Sequence, residues 1–238
     1  VQTHHSTLTA PGNTVLAVFG DIDAGQTRER IETALANWNS PAPPLGLPAG
    51  GAADGNRRDV DTTGKEQAVV TLGFPGCTLD HADRCVLDLI SEALNDMGSR
   101  LFLKIREELG LAYYVGTQNF TGRVPGCFSF YAGTAAHTAV QVEEELLNQA
   151  KRLAKGGLTE EELRRAKAKL IGHKKIARQD LGSVTFATCM DELLGLGHDH
   201  HAGEAARIEA VTLAQAQEAA AQYLGTDNFV TAVSLPGK

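Results

Sequence analysis

Gly98-Ser-Arg-Leu-Phe-Leu-Lys-Ile-Arg-Glu-Glu-Leu-Gly-Leu-Ala-Tyr-Tyr-Val115 changes its period part-way along. Ser99 to Glu108 places apolar and charged residues at helical spacing, and Gly110 is a good helix stop because glycine accepts the left-handed turn that closes a helix. From Ala112 the residue types change to those of a strand, predicting Ala112–Thr117. Across this tight helix-to-strand turn, Arg106 and Tyr113 can reach a shared rim although they are seven residues apart. Arginine offers a fixed fork of donors for carbonyl or carboxylate oxygen, and tyrosine a phenolic donor. Together they can clamp a peptide backbone or steady a developing oxyanion. The competing reading is a surface Arg106 paired with Glu107 or Glu108 and a strand tyrosine packed in the core. Spacing alone favours that plainer reading.

Working outward, Ala82, Cys85, Val86, Leu89, Ile90, Ala93 and Leu94 step by three and four, predicting a helix that Asp80 or Thr78 can cap. Strands are expected at Thr14–Gly20, Arg57–Asp61, Gln67–Phe74, Cys127–Ala132 and Phe229–Ser234. Helices are expected at about 25–38, 137–154, from Thr159, at about 183–196 and from Thr212. Thr159-x-x-Glu162 and Thr212-x-x-Gln215 read as capping boxes. Residues 40–56, rich in Pro, Gly and Ala, read as an exposed connection. One strand and one helix ahead of it cannot bury a core, so 1–238 is expected to be one domain. Strands clustered between helical runs predict an α+β sheet covered by helices on one face.

Composition bounds function. Net charge is -7, and Lys and Arg are scattered, so the electrostatic footprint of a nucleic-acid binder is missing. No apolar run approaches the ~20 residues that cross a bilayer. The chain starts without a Met or a signal pattern, reading as a processed or excised piece, and its compartment is not legible. Cys77, Cys85, Cys127 and Cys189 form no C-x-x-C pair and read as small buried hydrophobes, with a disulfide left open.

No H-E-x-x-H, H-x-x-E-H, G-x-S-x-G, phosphate loop or G-x-G-x-x-G occurs. His198-Asp-His-His201, with Glu204 beyond, is the densest ligand group. It follows Gly195 and Gly197, so it reads as a solvated turn, against a metal site needing three or four fixed ligands. His4-His5 reads as a frayed terminus, and His173 as a histidine at the core edge.

"GSRLFLKIREELGLAYYVG" closely resembles the S-R-L-F…R-E…G-L-A-Y signature of the C-terminal, non-zinc domain of M16 (insulinase or mitochondrial-processing-peptidase-like) metallopeptidases. "NTVLAVFGDID", "VVTLGFPG", "KGGLTEEELRRAKAKL" and "IEAVTLAQAQEAAAQYL" resemble further parts of it, so the similarity covers residues 10–234. The resemblance implies a six-stranded, mainly antiparallel sheet with helices on one face, formed as an internal pseudo-repeat. It also implies that zinc sits in a homologous partner domain with an H-x-x-E-H helix, in the same parent chain or a separate subunit. The two halves close around an extended peptide, and no metal is expected in this chain. Motif matching gives the substrate-binding and transition-state roles to Arg106 and Tyr113, with Tyr114 as rival for the tyrosine. Successive strand residues face opposite ways, so only one can line the chamber. The chain is therefore expected to be inactive alone. M16-like folds also serve as non-proteolytic assembly subunits, which is the alternative.

Overall fold

The computed structural model describes residues 2, 5, 8–39, 46 and 55–237, and most of the expected 40–56 connection lies outside them. The chain divides into two compact units, one of residues 1–47 and 172–206, the other of residues 48–171 and 207–238.

Among its described residues the larger unit holds one mixed sheet of five strands: β1 (Arg57–Thr63), β2 (Ala68–Pro75), β3 (Tyr114–Phe120), β4 (Cys127–Thr134) and β5 (Val230–Pro236), in the order β1-β5-β2-β4-β3. Only β1 and β5 are parallel. In β2, Ala68, Val70, Leu72 and Phe74 are buried while their neighbours are half-buried, the period of a strand with one covered face. That face packs on α2 (Arg84–Leu94), α4 (Ala139–Gly156) and α8 (Leu213–Leu224). Phe74, Phe128 and Phe130 fill the layer between, with Phe74 and Phe130 edge-to-face at 6.1 Å. Truncating any one of these rings costs about 3–5 kcal/mol.

Both capping boxes form. Thr159 N–H donates to Glu162 at 2.8 Å and Glu162 N–H to Thr159 Oγ1 at 3.2 Å, opening α5 (Glu160–Ala177). Thr212 and Gln215 repeat the arrangement at α8. The start of α2 differs from expectation: Asp83 holds the cap position without a side-chain bond to the helix backbone, and Thr78 donates instead to Asp80 at 2.6 Å.

The smaller unit carries α1 (Ala24–Leu35), α6 (Leu181–Leu193) and the N-terminal part of α7 (Glu204–Ala210), a helix that the sequence reading missed. Asp23 caps α1 by accepting from Gln26 N–H, and Asp180 caps α6 by accepting from Ser183 N–H. The six-stranded expectation fails in this unit. Residues 14–20 belong to no strand; among the described residues no neighbouring strand takes their backbone hydrogen bonds, and a strand exists only through such pairing. His173 is exposed rather than at the core edge.

Candidate functional site

Ser99 starts the segment that carries Arg106, its hydroxyl accepting from Phe102 N–H at 3.1 Å. One short helix, α3 (Arg100–Phe102), runs straight into a π-helical stretch, Leu103–Glu108, where Leu109 N–H donates to the Lys104 carbonyl five residues back. Leu101 and Ile105 are fully buried and four apart, so they pin this stretch to the core and turn Arg106 outward. Widened turns of this kind concentrate at functional sites. Gly110, at φ +61°, then reverses the chain, and Leu111 N–H closes the turn on the Ile105 carbonyl at 3.0 Å.

Arg106 and Tyr113 are brought together. A guanidinium N–H of Arg106 donates to the Tyr113 carbonyl at 2.6 Å. The same guanidinium lies 5.0 Å from the Phe102 ring centre and 5.5 Å from that of Tyr113, within cation–π range of both. Its contact with Glu107 is long, at 3.9 Å. The plainer reading, a surface ion pair beside a core tyrosine, does not describe this pair, because Tyr113 is 70% exposed. Tyr113 lies one residue before β3, and its N–H donates to the Gly133 carbonyl at 2.9 Å.

Tyr114 is separated from Tyr113 as strand alternation requires. Its ring lies over Gly133, where a methyl group would sit 2.2 Å from Tyr114 Cε1, and its centre is 6.2 Å from that of Tyr131. Tyr113 instead lines a cleft of about 510 Å³ with Glu66, Gln67, Thr134, His137 and Thr138 among its walls. These cleft residues were not singled out from sequence; they lie on two segments separate from that of Tyr113 and share no motif.

The sheet face opposite the helices bears, by register, Val69, Thr71 and Gly73 of β2, Ser129, Tyr131 and Gly133 of β4, Gly116 and Gln118 of β3, and Ala232 and Ser234 of β5. None of these is charged, whereas the positions of β1 in register with them, Arg57, Asp59 and Asp61, all are. At the β3 edge, the Asn95 side chain donates to the Thr117 carbonyl and accepts from its N–H, both at 2.7 Å. It occupies the hydrogen-bonding positions a further strand would use.

Arg100 of the same signature is structural. It makes a two-pronged ion pair with Glu162, including a 2.7 Å bond to Oε1. Burial pushes the Glu162 carboxyl up, but Arg100 and the Thr159 amide together hold it below its ordinary range. The pair ties the Arg106 segment to the cap of α5.

The described residues do not fit zinc. Among the described residues no group of three or more His, Cys, Asp or Glu could hold a metal. In the His198–His201 turn, His201 Nδ1 is 2.8 Å from Asp191 Oδ2, which also accepts from the His201 N–H. No disulfide joins any of the four cysteines, and burial pushes the Cys77 thiol up to about 11. Among the described residues no helix is long and apolar enough to cross a membrane.

The family model described as "Peptidase M16 inactive domain" matches residues 1–170. The chain is 29% identical over 183 residues to "Uncharacterized zinc protease SCO5738" of Streptomyces coelicolor, covering 73% of this chain and 39% of that protein. It is 30% identical over 174 residues to "Uncharacterized zinc protease YmxG" of Bacillus subtilis, covering 72% and 42%. It thus spans about two fifths of the length of these relatives. The crystal structure of a peptidase M16 inactive domain from Pseudomonas fluorescens superposes with a TM-score of 0.81 at 18% identity, covering 92% of this chain and 52% of that one. The chain belongs to the M16 peptidase inactive-domain family, whose relatives include zinc proteases.

Proposed function

We propose that this chain is the non-catalytic, peptide-binding half of an M16 zinc peptidase, completing the chamber of a zinc-bearing domain with an H-x-x-E-H helix. The observation that carries the reading is the Arg106–Tyr113 pair, held on a buried anchor with the phenol exposed beside a cleft. Arg106 fixes the Tyr113 main chain and keeps further N–H donors for the carbonyls of an extended peptide. The Tyr113 hydroxyl donates a hydrogen bond to the scissile carbonyl as negative charge grows on its oxygen, the moment when such a bond is strongest. Metal chemistry belongs to the partner.

The test uses the chain, the zinc-bearing domain encoded with it, and an internally quenched unfolded peptide. The expected result is no stoichiometric zinc and no cleavage from the chain alone, with cleavage on mixing. Cleavage by the zinc-bearing domain that is indifferent to the chain would leave the non-proteolytic assembly role instead.

A further inference from the structure

The smaller unit has surfaces that fit a sheet, and its described residues form none. Of its described residues only Ala10 is buried, and neither α1 nor α6 buries any residue. Leu16 is 60% exposed, Val18 44% and Phe19 42%. An apolar exposure of this size marks a surface that is covered in the working molecule.

The sequence indicates what covers it. Asn13-Thr-Val-Leu-Ala-Val18 and Asn228-Phe-Val-Thr-Ala-Val233 are identical at four of six positions. Both also follow a helix: the described residues 2, 5 and 8 are helical, and α8 precedes Asn228. In the second copy the segment is β5, flanked by the parallel β1 and the antiparallel β2. There Thr231 and Val233 are buried at 3% each under the helices. The matching positions in the first copy are Leu16 and Val18. The side chains that β5 hides are the ones that 14–20 leaves bare, and they are larger and more apolar at one of the two positions.

We infer that residues 14–20 are the β5-equivalent strand of a second sheet of this architecture, belonging to the homologous zinc-bearing domain. The segment inserts between a parallel and an antiparallel strand of that domain, with Leu16 and Val18 under its helices. The occupant is thus another M16 domain rather than a second copy of this chain, whose own sheet already holds β5 between β1 and β2. This rests on the proposed function for the identity of the partner, but not on the roles of Arg106 and Tyr113.

The test is amide hydrogen exchange on the whole chain, alone and mixed with the zinc-bearing domain, with Leu16→Asp/Val18→Asp as a second arm. Exchange at residues 15–19 is expected to be fast in the chain alone and to slow at least ~100-fold in the mixture. The double variant is expected to weaken the complex at least ~100-fold while protection across β2, β4 and β5 stays as it was, which separates lost docking from lost folding. A mixture that cleaves peptide while residues 15–19 stay open overturns this inference and leaves the proposed function standing. No complex at all overturns both. Protection in the chain alone that grows with its concentration assigns the segment to a second copy and also overturns it.

Discussion

The Arg106 guanidinium donates to the main-chain carbonyl of Tyr113 and at the same time lies against the Tyr113 and Phe102 rings. One side chain therefore fixes both the backbone and the ring next to the exposed phenol. Arg106→Lys keeps the charge but loses the planar fork, so it is not a conservative change here. In the assembled enzyme it is expected to lower kcat at least ~10-fold with little change in the unfolding midpoint, measured by steady-state kinetics and thermal unfolding.

Gly133 and Tyr114 form a matched pair on the open sheet face, because a methyl group at 133 would stand where the tyrosine ring lies. Gly133→Ala is expected to cost about 1–3 kcal/mol through overpacking. Adding Tyr114→Ala should recover part of that cost. A urea-unfolding double-mutant cycle checks it, and additive losses would contradict the contact.

Asn95 closes the β3 edge by pairing with both backbone groups of Thr117. Asn95→Ala leaves these groups without their partner, at a cost of about 1–3 kcal/mol. It also frees a strand edge for intermolecular pairing. Sedimentation velocity should show association rising with concentration in the variant and not in the parent chain.

Glu162 is held below its ordinary carboxylate range against the opposing effect of burial, so the unfolded chain binds its proton at a higher pH than the folded one. The stability this contributes is complete above about pH 4.3, the ordinary value for Glu, and is lost as pH falls through the lower folded value. Glu162→Gln is expected to cost about 1–3 kcal/mol at pH 7, less than a fully buried pair because Arg100 is partly exposed. It should also flatten the urea midpoint between pH 6 and 3.

What the sequence made legible is local. The capping boxes at Thr159 and Thr212, the stop at Gly110 and the apolar stripe from Val86 to Leu94 each depend on residues within a few positions of one another. The failures are non-local. Residues 14–20 have the composition of a buried strand, but composition does not say whose sheet they enter. The π-helical turn under Arg106 leaves no period distinct from an α-helix. Arg100 meets Glu162 across 62 residues, and Asn95 meets Thr117 across 22, distances at which spacing carries no information. For the site, spacing allowed Arg106 and Tyr113 to meet but favoured the plainer reading; the family resemblance pointed to the pair, and the contact itself required coordinates.

The most direct test of the central claim is kcat/KM of Tyr113→Phe in the assembled peptidase, read beside peptide affinity. Removing one hydroxyl that acts on the developing oxyanion should lower kcat/KM at least ~100-fold while the peptide dissociation constant stays within about threefold. Turnover equal to that of the parent enzyme would contradict the account.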